Sequence, residues 1–284
     1  MKFSLVMATL GRSEEIKIFL DSLSDQDYKN FELIIVDQNE RDILRDIVDE
    51  YKQKFYINHI RIREKGLSLA RNIGIKYVTG DIIAFPDDDC AYSEGILTFI
   101  NNFFNQNSNI DFVTFKLRDK DSGVDSNLKW YNHDVEITYQ NIFRTVISPS
   151  IFIKFKNIDD VFFDENLGVG RKFGSGEESD MALELLYRGY RGKYLTNFII
   201  YHPNKKEPME KIYSYGLGYG ATIKKHVKLR NGKYFVLNYL FKDSILKSLA
   251  GMFINVFKFN YYEVNSYKKR MISRVKGYLE YKIN

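Results

Sequence analysis

The first hundred residues alternate between short apolar runs and amphipathic stretches, and this alternation constrains the fold more than any other feature of the chain. Residues 3–8 (FSLVMA) have strand character, and 14–24 place Ile16, Phe19, Leu20 and Leu23 on one helical face. Ser13 offers that helix an N-cap, and Glu14 and Glu15 suit its positive end. Strand-like 31–36, helical 42–55, strand-like 57–63, helical 67–77 and strand-like 82–86 follow, then a helix over 94–104 and a strand over 110–117. Strands separated by helices imply βαβ units with right-handed crossovers, hence an α/β fold around a mostly parallel sheet flanked by helices.

Beyond residue 117 the pattern loosens. Residues 118–146 are polar, contain the single Trp130, and carry no periodicity that assigns an element. A strand is expected over 151–155, a glycine-rich loop at Gly168, Gly170, Gly174 and Gly176, a helix over 177–188 and a strand over 198–201. After Pro203 and Pro208 the chain becomes basic and aromatic, with helices expected over Met209–Leu229, 235–257 and 261–281. The net charge of +5 hides this change. Residues 205–284 hold 17 Lys/Arg against 5 Asp/Glu, a net +12, which leaves 25 against 32, or −7, for the first 204. The expected organisation is therefore a catalytic domain over 1–204 and a basic helical extension over 205–284. The lone Cys90 excludes an internal disulfide and a cysteine zinc cage, which fits a reducing compartment. No export segment or charge-free run of spanning length is seen, so a cytoplasmic protein is expected, peripheral at the inner face of the membrane if it meets one.

In open parallel sheets ligands bind at the carboxyl ends of strands. The residues that follow the first, second and fourth strands are Thr9 and Arg12, then Asp37, then Asp87, Asp88 and Asp89. Neither GxGxxG nor GxxxxGK[ST] is present. Three adjacent carboxylates repel unless a cation or hydrogen-bond donors offset them. Hard oxygen donors suit Mg²⁺ or Mn²⁺, which bridge substrate phosphates. Alternation along an extended segment would turn Asp87 and Asp89 to one ligand and Asp88 away, and a solvated acidic turn is the bland alternative. On the helix at 177–188, a rotation of about 100° per residue puts Glu177, Asp180, Glu184 and Arg188 on a solvated stripe. Glu178 falls amid Met181, Ala182, Leu185 and Leu186, and a Glu184–Arg188 pair adds helix support. A carboxylate on an inward face is a candidate general base, or a carboxylate favoured by the helix dipole.

These residues carry a resemblance. Six segments occur in order: TLGR at 9–12, FELIIVDQN at 31–39, GLSLARNIGI at 66–75, GDIIAFPDDDC at 80–90, GSGEESDMALELL at 174–186 and YHP at 201–203. Together they resemble glycosyltransferase family 2, the inverting nucleotide-sugar transferases of GT-A fold, and in particular bacterial surface-polysaccharide members. The resemblance implies that Asp87 binds the donor and Asp89 the metal, as in the family's DxD motif. It further implies that Thr9 and Asp37 contact the base and that Arg71 lies beside base or phosphate, for which a forked permanent cation is suited. Arg12 and Asp88 join this donor-binding set, and His202 completes the metal site in several relatives. The family's ED motif falls on Glu177-Glu178, and its second acid, the acceptor's base, on Glu178. Glu177 and Asp180 are the neighbouring alternatives. Gln38 and Glu184 depart from the residues common in relatives.

The implied function is transfer of a sugar from a nucleotide-diphosphate donor, a UDP-sugar, to an acceptor hydroxyl in polysaccharide or glycolipid synthesis, with Mn²⁺ or Mg²⁺ as cofactor. The partners are then the nucleotide sugar and a saccharide or lipid-linked acceptor. A sugar nucleotidyltransferase is the enzymic alternative, but TLGR is too short and glycine-poor for its phosphate loop. Lys, Tyr, Phe and Leu interleaved through the tail suit an anionic membrane surface, or a cap that buries its aromatics. Nucleic-acid binding is disfavoured by the acidic body and by the absence of a recognised motif. The YGLGYG run at 215–220 reads either as a close-packing helix or as a loop near phosphate.

Overall fold

A computed structural model describes residues 1–125, 128–229 and 232–283. The apolar runs form a nine-stranded sheet: β1 (Phe3–Thr9), β2 (Phe31–Asp37), β3 (Ile57–Arg61), β4 (Ile82–Ala84), β5 (Ala91–Tyr92), β6 (Phe112–Arg118), β7 (Val135–Ile137), β8 (Phe152–Lys154) and β9 (Gly192–Tyr201). Its order is β3-β2-β1-β4-β8-β6-β9-β5, with β7 on β9. β3, β2, β1 and β4 are mutually parallel, as the alternation requires. The remainder departs from a mostly parallel sheet. β8 inserts antiparallel between β4 and β6, and β5 and β7 both pair antiparallel with β9, so only the β6–β9 ladder there is parallel.

The helices are α1 (Glu14–Ser24), α2 (Arg45–Tyr51), α3 (Leu67–Ile75), α4 (Ile96–Gln106), α5 (Ile142–Thr145), α6 (Glu177–Tyr187), α7 (Met209–Leu229), α8 (Gly232–Tyr234), α9 (Lys247–Phe257) and α10 (Tyr261–Glu280). α1 buries Ile16, Phe19, Leu20 and Leu23 as its periodicity predicts, but Ser13 makes no side-chain cap bond. α2 is confined to the middle of the expected 42–55. The irregular 118–146 contains β7 and α5, and Trp130 stacks on Tyr194 at 5.8 Å. The expected helix over 235–257 is π-helical over Phe235–Leu246 before α9.

Two units are distinguished: Met1–Lys65, Leu69–Phe162 and Met181–Lys205 in the first, and Gly66–Ser68, Phe163–Asp180 and Lys206–Asn284 in the second. The first is built on the sheet and one core that includes Phe3, Leu5, Phe19, Leu33, Phe115 and Phe152. Burial of such side chains contributes about 1.5–3 kcal/mol each before entropy is counted. In the second, small residues bring α7 and α10 into close contact. A Cβ on Gly220 would lie 2.0 Å from the Arg274 carbonyl oxygen, and one on Gly277 2.0 Å from that of Leu217. The YGLGYG run is thus a close-packing helix. The loop before α6 is also ordered by its own bonds, Gly168 N–H donating to Phe173 O at 2.8 Å and Arg171 N–H to Gly168 O at 3.1 Å.

Among the described residues no helix is long and apolar enough to cross a membrane.

Candidate active site

β1, β2 and β4 end at one edge of the first unit, and the predicted donor-binding residues follow from their register. Thr9 pairs with Asp37 at the last position of the β1–β2 ladder, and Gln38 N–H donates to Thr9 O at 3.0 Å. Asp37 is fully buried. Its Oδ1 accepts from Asn39 N at 2.8 Å and Nδ2 at 2.7 Å, and its Oδ2 lies 3.1 Å from His59 Nε2. Burial pushes the Asp37 carboxyl upward, but the bonds from His59 and Asn39 outweigh it and hold the group below its ordinary range. His59 and Arg61, the latter 3.8 Å from Asp37, are two site-edge residues that sequence reasoning passed over. The parallel β2–β3 ladder, which places Arg61 opposite Asp37, is the signal that would find them.

β4 hands the chain to a turn in which Cys90 N–H donates to Asp87 O at 3.3 Å. Directly after it, Ala91 pairs with Tyr201 in the β5–β9 ladder. Because the ladder is antiparallel, the residues before Ala91 face those after Tyr201, and this register brings Asp89 and His202 together. Asp87, Asp89 and His202 each offer a ligand atom, and these atoms lie within 4.8 Å of one another. His202 Nε2 stands 3.3 Å from Asp89 Oδ1 and 3.8 Å from Asp87 Oδ2. Asp88 turns instead to Arg12, so the convergence of Asp87 and Asp89 holds although the segment is a turn and not an extended strand.

Protein cations offset the repulsion of this trio. Arg12 Nη1 bonds Asp88 and lies 2.9 Å from Asp89 Oδ2. Arg71, 1% exposed, donates from Nη2 to Asp87 Oδ1 at 3.0 Å, and Lys205 Nζ stands 3.7 Å from Asp89 Oδ2. Their fields divide the acids. Burial lifts Asp88 to about 6, since Arg12 and Thr9 offset only part of it. Asp89 is also penalised by burial, but His202, Arg12 and Lys205 bring it to about 2. Burial lowers His202 while its bond to Asp89 and the charge of Asp87 raise it, with a net upward shift.

The acids of α6 differ from the solvated stripe expected of them. Glu177 is 5% exposed and Asp180 1%, whereas Glu178 is half-buried. The helix periodicity is unchanged; what it did not reveal is the cover supplied by the second unit's own loop and α7. A Cβ on Gly168 would lie 3.3 Å from the Glu177 carboxyl carbon. Asp180 Oδ2 accepts from Lys225 Nζ at 2.8 Å and its Oδ1 lies 2.8 Å from His226 Nε2. Lys225 also reaches Asp164 at 3.2 Å, and Tyr281 Oη donates to the same Asp164 carboxylate. This buried network was not foreseen, because its members are scattered from residue 164 to residue 281. On the last turn of α6, Arg188 pairs with Asp160 at 2.7 Å in place of the expected Glu184.

A profile described as "Glycosyl transferase family 2" matches residues 4–162. Among curated proteins, the minor teichoic acid biosynthesis protein GgaB of Bacillus subtilis is 31% identical over 59% of this chain and 20% of its own length. Poly(ribitol-phosphate) beta-N-acetylglucosaminyltransferase TarS of Staphylococcus aureus is 23% identical over 73% of this chain and 36% of its own. The chain thus spans about a fifth to a third of the length of these relatives. Among solved structures, S. aureus TarS 1–349 in complex with UDP-GlcNAc has a TM-score of 0.61 at 16% identity, covering 98% of this chain and 91% of that one. The mannosyltransferase PcManGT from Pyrobaculum calidifontis, in complex with GDP-Man and Mn²⁺, has a TM-score of 0.70 at 13% identity over 98% and 87%. At these identities the structural likeness speaks for the fold.

Proposed function

Since the chain belongs to glycosyl transferase family 2 and has a GT-A-like fold, we propose that it transfers a sugar from a nucleoside-diphosphate donor to an acceptor hydroxyl, inverting the anomeric centre. The observation that carries this reading is the convergence of Asp87, Asp89 and His202 at the edge where β1, β2 and β4 end. Two carboxylates and an imidazole suit Mn²⁺ or Mg²⁺, and these three residues would hold the ion. When bound, a divalent cation supplies positive charge to the departing diphosphate. Arg71 and Arg12 hold the acidic turn and offset its charge beside the phosphates, with Asp88 paired to Arg12. Thr9 and Asp37 stand at the adjoining end of the edge and are assigned to the base.

Glu178 is the acceptor's base in this reading. Of the three acids in the first turn of α6 it is the one that retains substantial solvent exposure, while Asp180 is engaged by Lys225 and His226. The acceptor oxygen bonds the anomeric carbon as the bond from that carbon to the diphosphate oxygen breaks. The hydroxyl proton passes to Glu178, and the electron pair leaves with the nucleoside diphosphate. Residues 1–204 would carry this chemistry as the catalytic domain. The UDP-GlcNAc complex of TarS supports a UDP-sugar donor, and the names of GgaB and TarS support a cell-surface polymer or its lipid-linked precursor as acceptor.

The test is thermal stabilisation by UDP-GlcNAc and GDP-mannose, each with Mn²⁺ and with a chelator, followed by a transfer assay on Glu178→Gln. Stabilisation by one nucleotide sugar, lost in chelator, is expected. Glu178→Gln should keep that stabilisation and lose transfer by about 10²-fold or more. Unchanged turnover in this variant would remove Glu178 from the mechanism, and stabilisation by no donor would remove the donor site.

A further inference from the structure

Phe235 and Tyr239 are buried, but from Phe241 to Tyr261 the segment is built inside out. Its inward positions are small or polar: Ser244 and Ser248 are buried, and Gly251 packs so tightly that a Cβ would meet the Tyr267 ring at 2.5 Å. Its large apolar side chains point outward, with Phe241 and Leu249 about half exposed, Phe253 66%, Phe257 67% and Phe259 78%. A helix folded only for its own unit would show the reverse distribution, with large side chains inward. Contiguous exposed apolar surface of this kind marks an interaction site.

The turn between α9 and α10 adds an independent sign. Phe259 has φ of +53°, the one non-glycine residue with positive φ among those described. Glycine or asparagine takes such a position at least cost after a helix. A phenylalanine there costs stability and presents its ring to solvent, so the ring itself is what the position serves.

We infer that this face docks on an anionic lipid bilayer, lying in the interface with Phe241, Phe253, Phe257 and Phe259 inserted among the acyl chains. Charge selects this occupant. Lys242 and Lys258 are exposed beside the face, and Asp243, the single acid from Gly232 to Tyr262, is paired with Lys247, so the stretch keeps a net positive charge. A second copy of the chain would bring these lysine fringes against one another, whereas a surface of phosphate headgroups complements them. Aromatic residues at the depth of the headgroups and lysines beside them are the composition of an interfacial helix. The inference is independent of the transfer reaction and of the donor site.

The experiment is flotation of the full chain with phosphatidylcholine vesicles and with vesicles that also contain phosphatidylglycerol, at low and high salt. Binding to the phosphatidylglycerol vesicles is expected, weakened by salt and much reduced on phosphatidylcholine alone. The doubly substituted Phe253→Ser, Phe257→Ser chain should lose binding by tenfold or more, without a fall in thermal stability, because both side chains are exposed. Phe259→Gly separates docking from folding, since it relieves the positive φ and removes the ring. Its midpoint should hold or rise while vesicle binding falls severalfold. Absence of binding to anionic vesicles would overturn the inference, as would binding that survives these substitutions. Concentration-dependent dimerisation abolished by the same substitutions, without vesicle binding, would overturn it in favour of a second copy.

Discussion

Replacing Lys225 by Met tests whether the buried network around Asp180 holds the start of α6 in place. Lys225 Nζ sits between Asp180 at 2.8 Å and Asp164 at 3.2 Å, with side-chain exposures of 20%, 2% and 13% respectively. Methionine keeps most of the aliphatic stem, so the change removes charge and little volume. Two carboxylates then remain, one almost fully buried, without their shared cation. Removing one partner of a buried ion pair costs about 3–5 kcal/mol, and the partial exposure of Lys225 places this case near 3 kcal/mol. For a chain of this size that is a fall of roughly 6–12 °C in the midpoint, read by thermal or urea unfolding. The pH dependence has a defined sign. Burial raises Asp164, but Tyr281, the Asn166 N–H and Lys225 together hold it below its ordinary value. Its contribution is therefore present above the unfolded carboxylate pKa of about 3.9 and lost as pH falls through the lower folded value. Without Lys225 Asp164 protonates more readily, so the gap between variant and parent must narrow as pH falls from 7 towards 4. A variant within about 0.5 kcal/mol of the parent at pH 7, or a gap that widens in acid, would refute the network's role.

Glu32 predicts a second acid-sensitive lock. It is 3% exposed and accepts from Ser4 Oγ at 2.6 Å, Thr79 N at 2.8 Å, Thr79 Oγ1 at 2.8 Å and Lys2 Nζ at 2.7 Å. Burial raises its carboxyl, these donors more than reverse that, and Glu32→Ala should cost about 2–3 kcal/mol in denaturant unfolding. The same lowered value makes Glu32 one contributor to the fall of parent stability below about pH 4, so the Ala variant should fall less steeply there. Gly277→Ala sets helix propensity against packing. Alanine gains about 1 kcal/mol in a helix, but its Cβ would stand 2.0 Å from Leu217 O, and overpacking at the upper end of about 1–3 kcal/mol leaves a net loss near 1–2 kcal/mol by thermal unfolding. Arg71→Lys exchanges a buried forked donor to Asp87 for a point charge, and calorimetric titration with UDP should show affinity reduced by about tenfold.

How much was legible depended on whether the signal was local. Glu14–Ser24 matches its periodic stretch end to end because one apolar face specifies it, and Met209–Leu229 matches the helix expected after Pro208. The parallel β3-β2-β1-β4 half follows from alternation, since each crossover helix lies in sequence between its strands. The other half was not legible. β5 has two residues and β7 three, too short for any periodicity, and the antiparallel seat of β8 is decided by partners remote in sequence. Over Phe235–Leu246 eight of twelve positions are apolar or aromatic, too dense a pattern to carry a period that could separate a π-helix from an α-helix.

The site divides in the same way. Asp87, Asp89 and His202 were readable in the sequence as a candidate metal-binding set, and the β5–β9 register brings them together. What offsets them was hidden, because Arg12 lies 76 positions from Asp88 and Lys205 more than a hundred from Asp89. Their presence changes the electrostatic meaning of the edge. Three aspartates face the fixed cations Arg12, Arg71 and Lys205, so the edge is close to neutral and not the strongly acidic cluster its sequence suggests. A neutral edge does not repel a diphosphate, but it does not neutralise one either, and side chains already paired to Asp87, Asp88 and Asp89 have limited charge to lend. The missing positive charge is what a divalent ion at Asp87, Asp89 and His202 would bring, and for that reason donor binding and metal binding should stand or fall together.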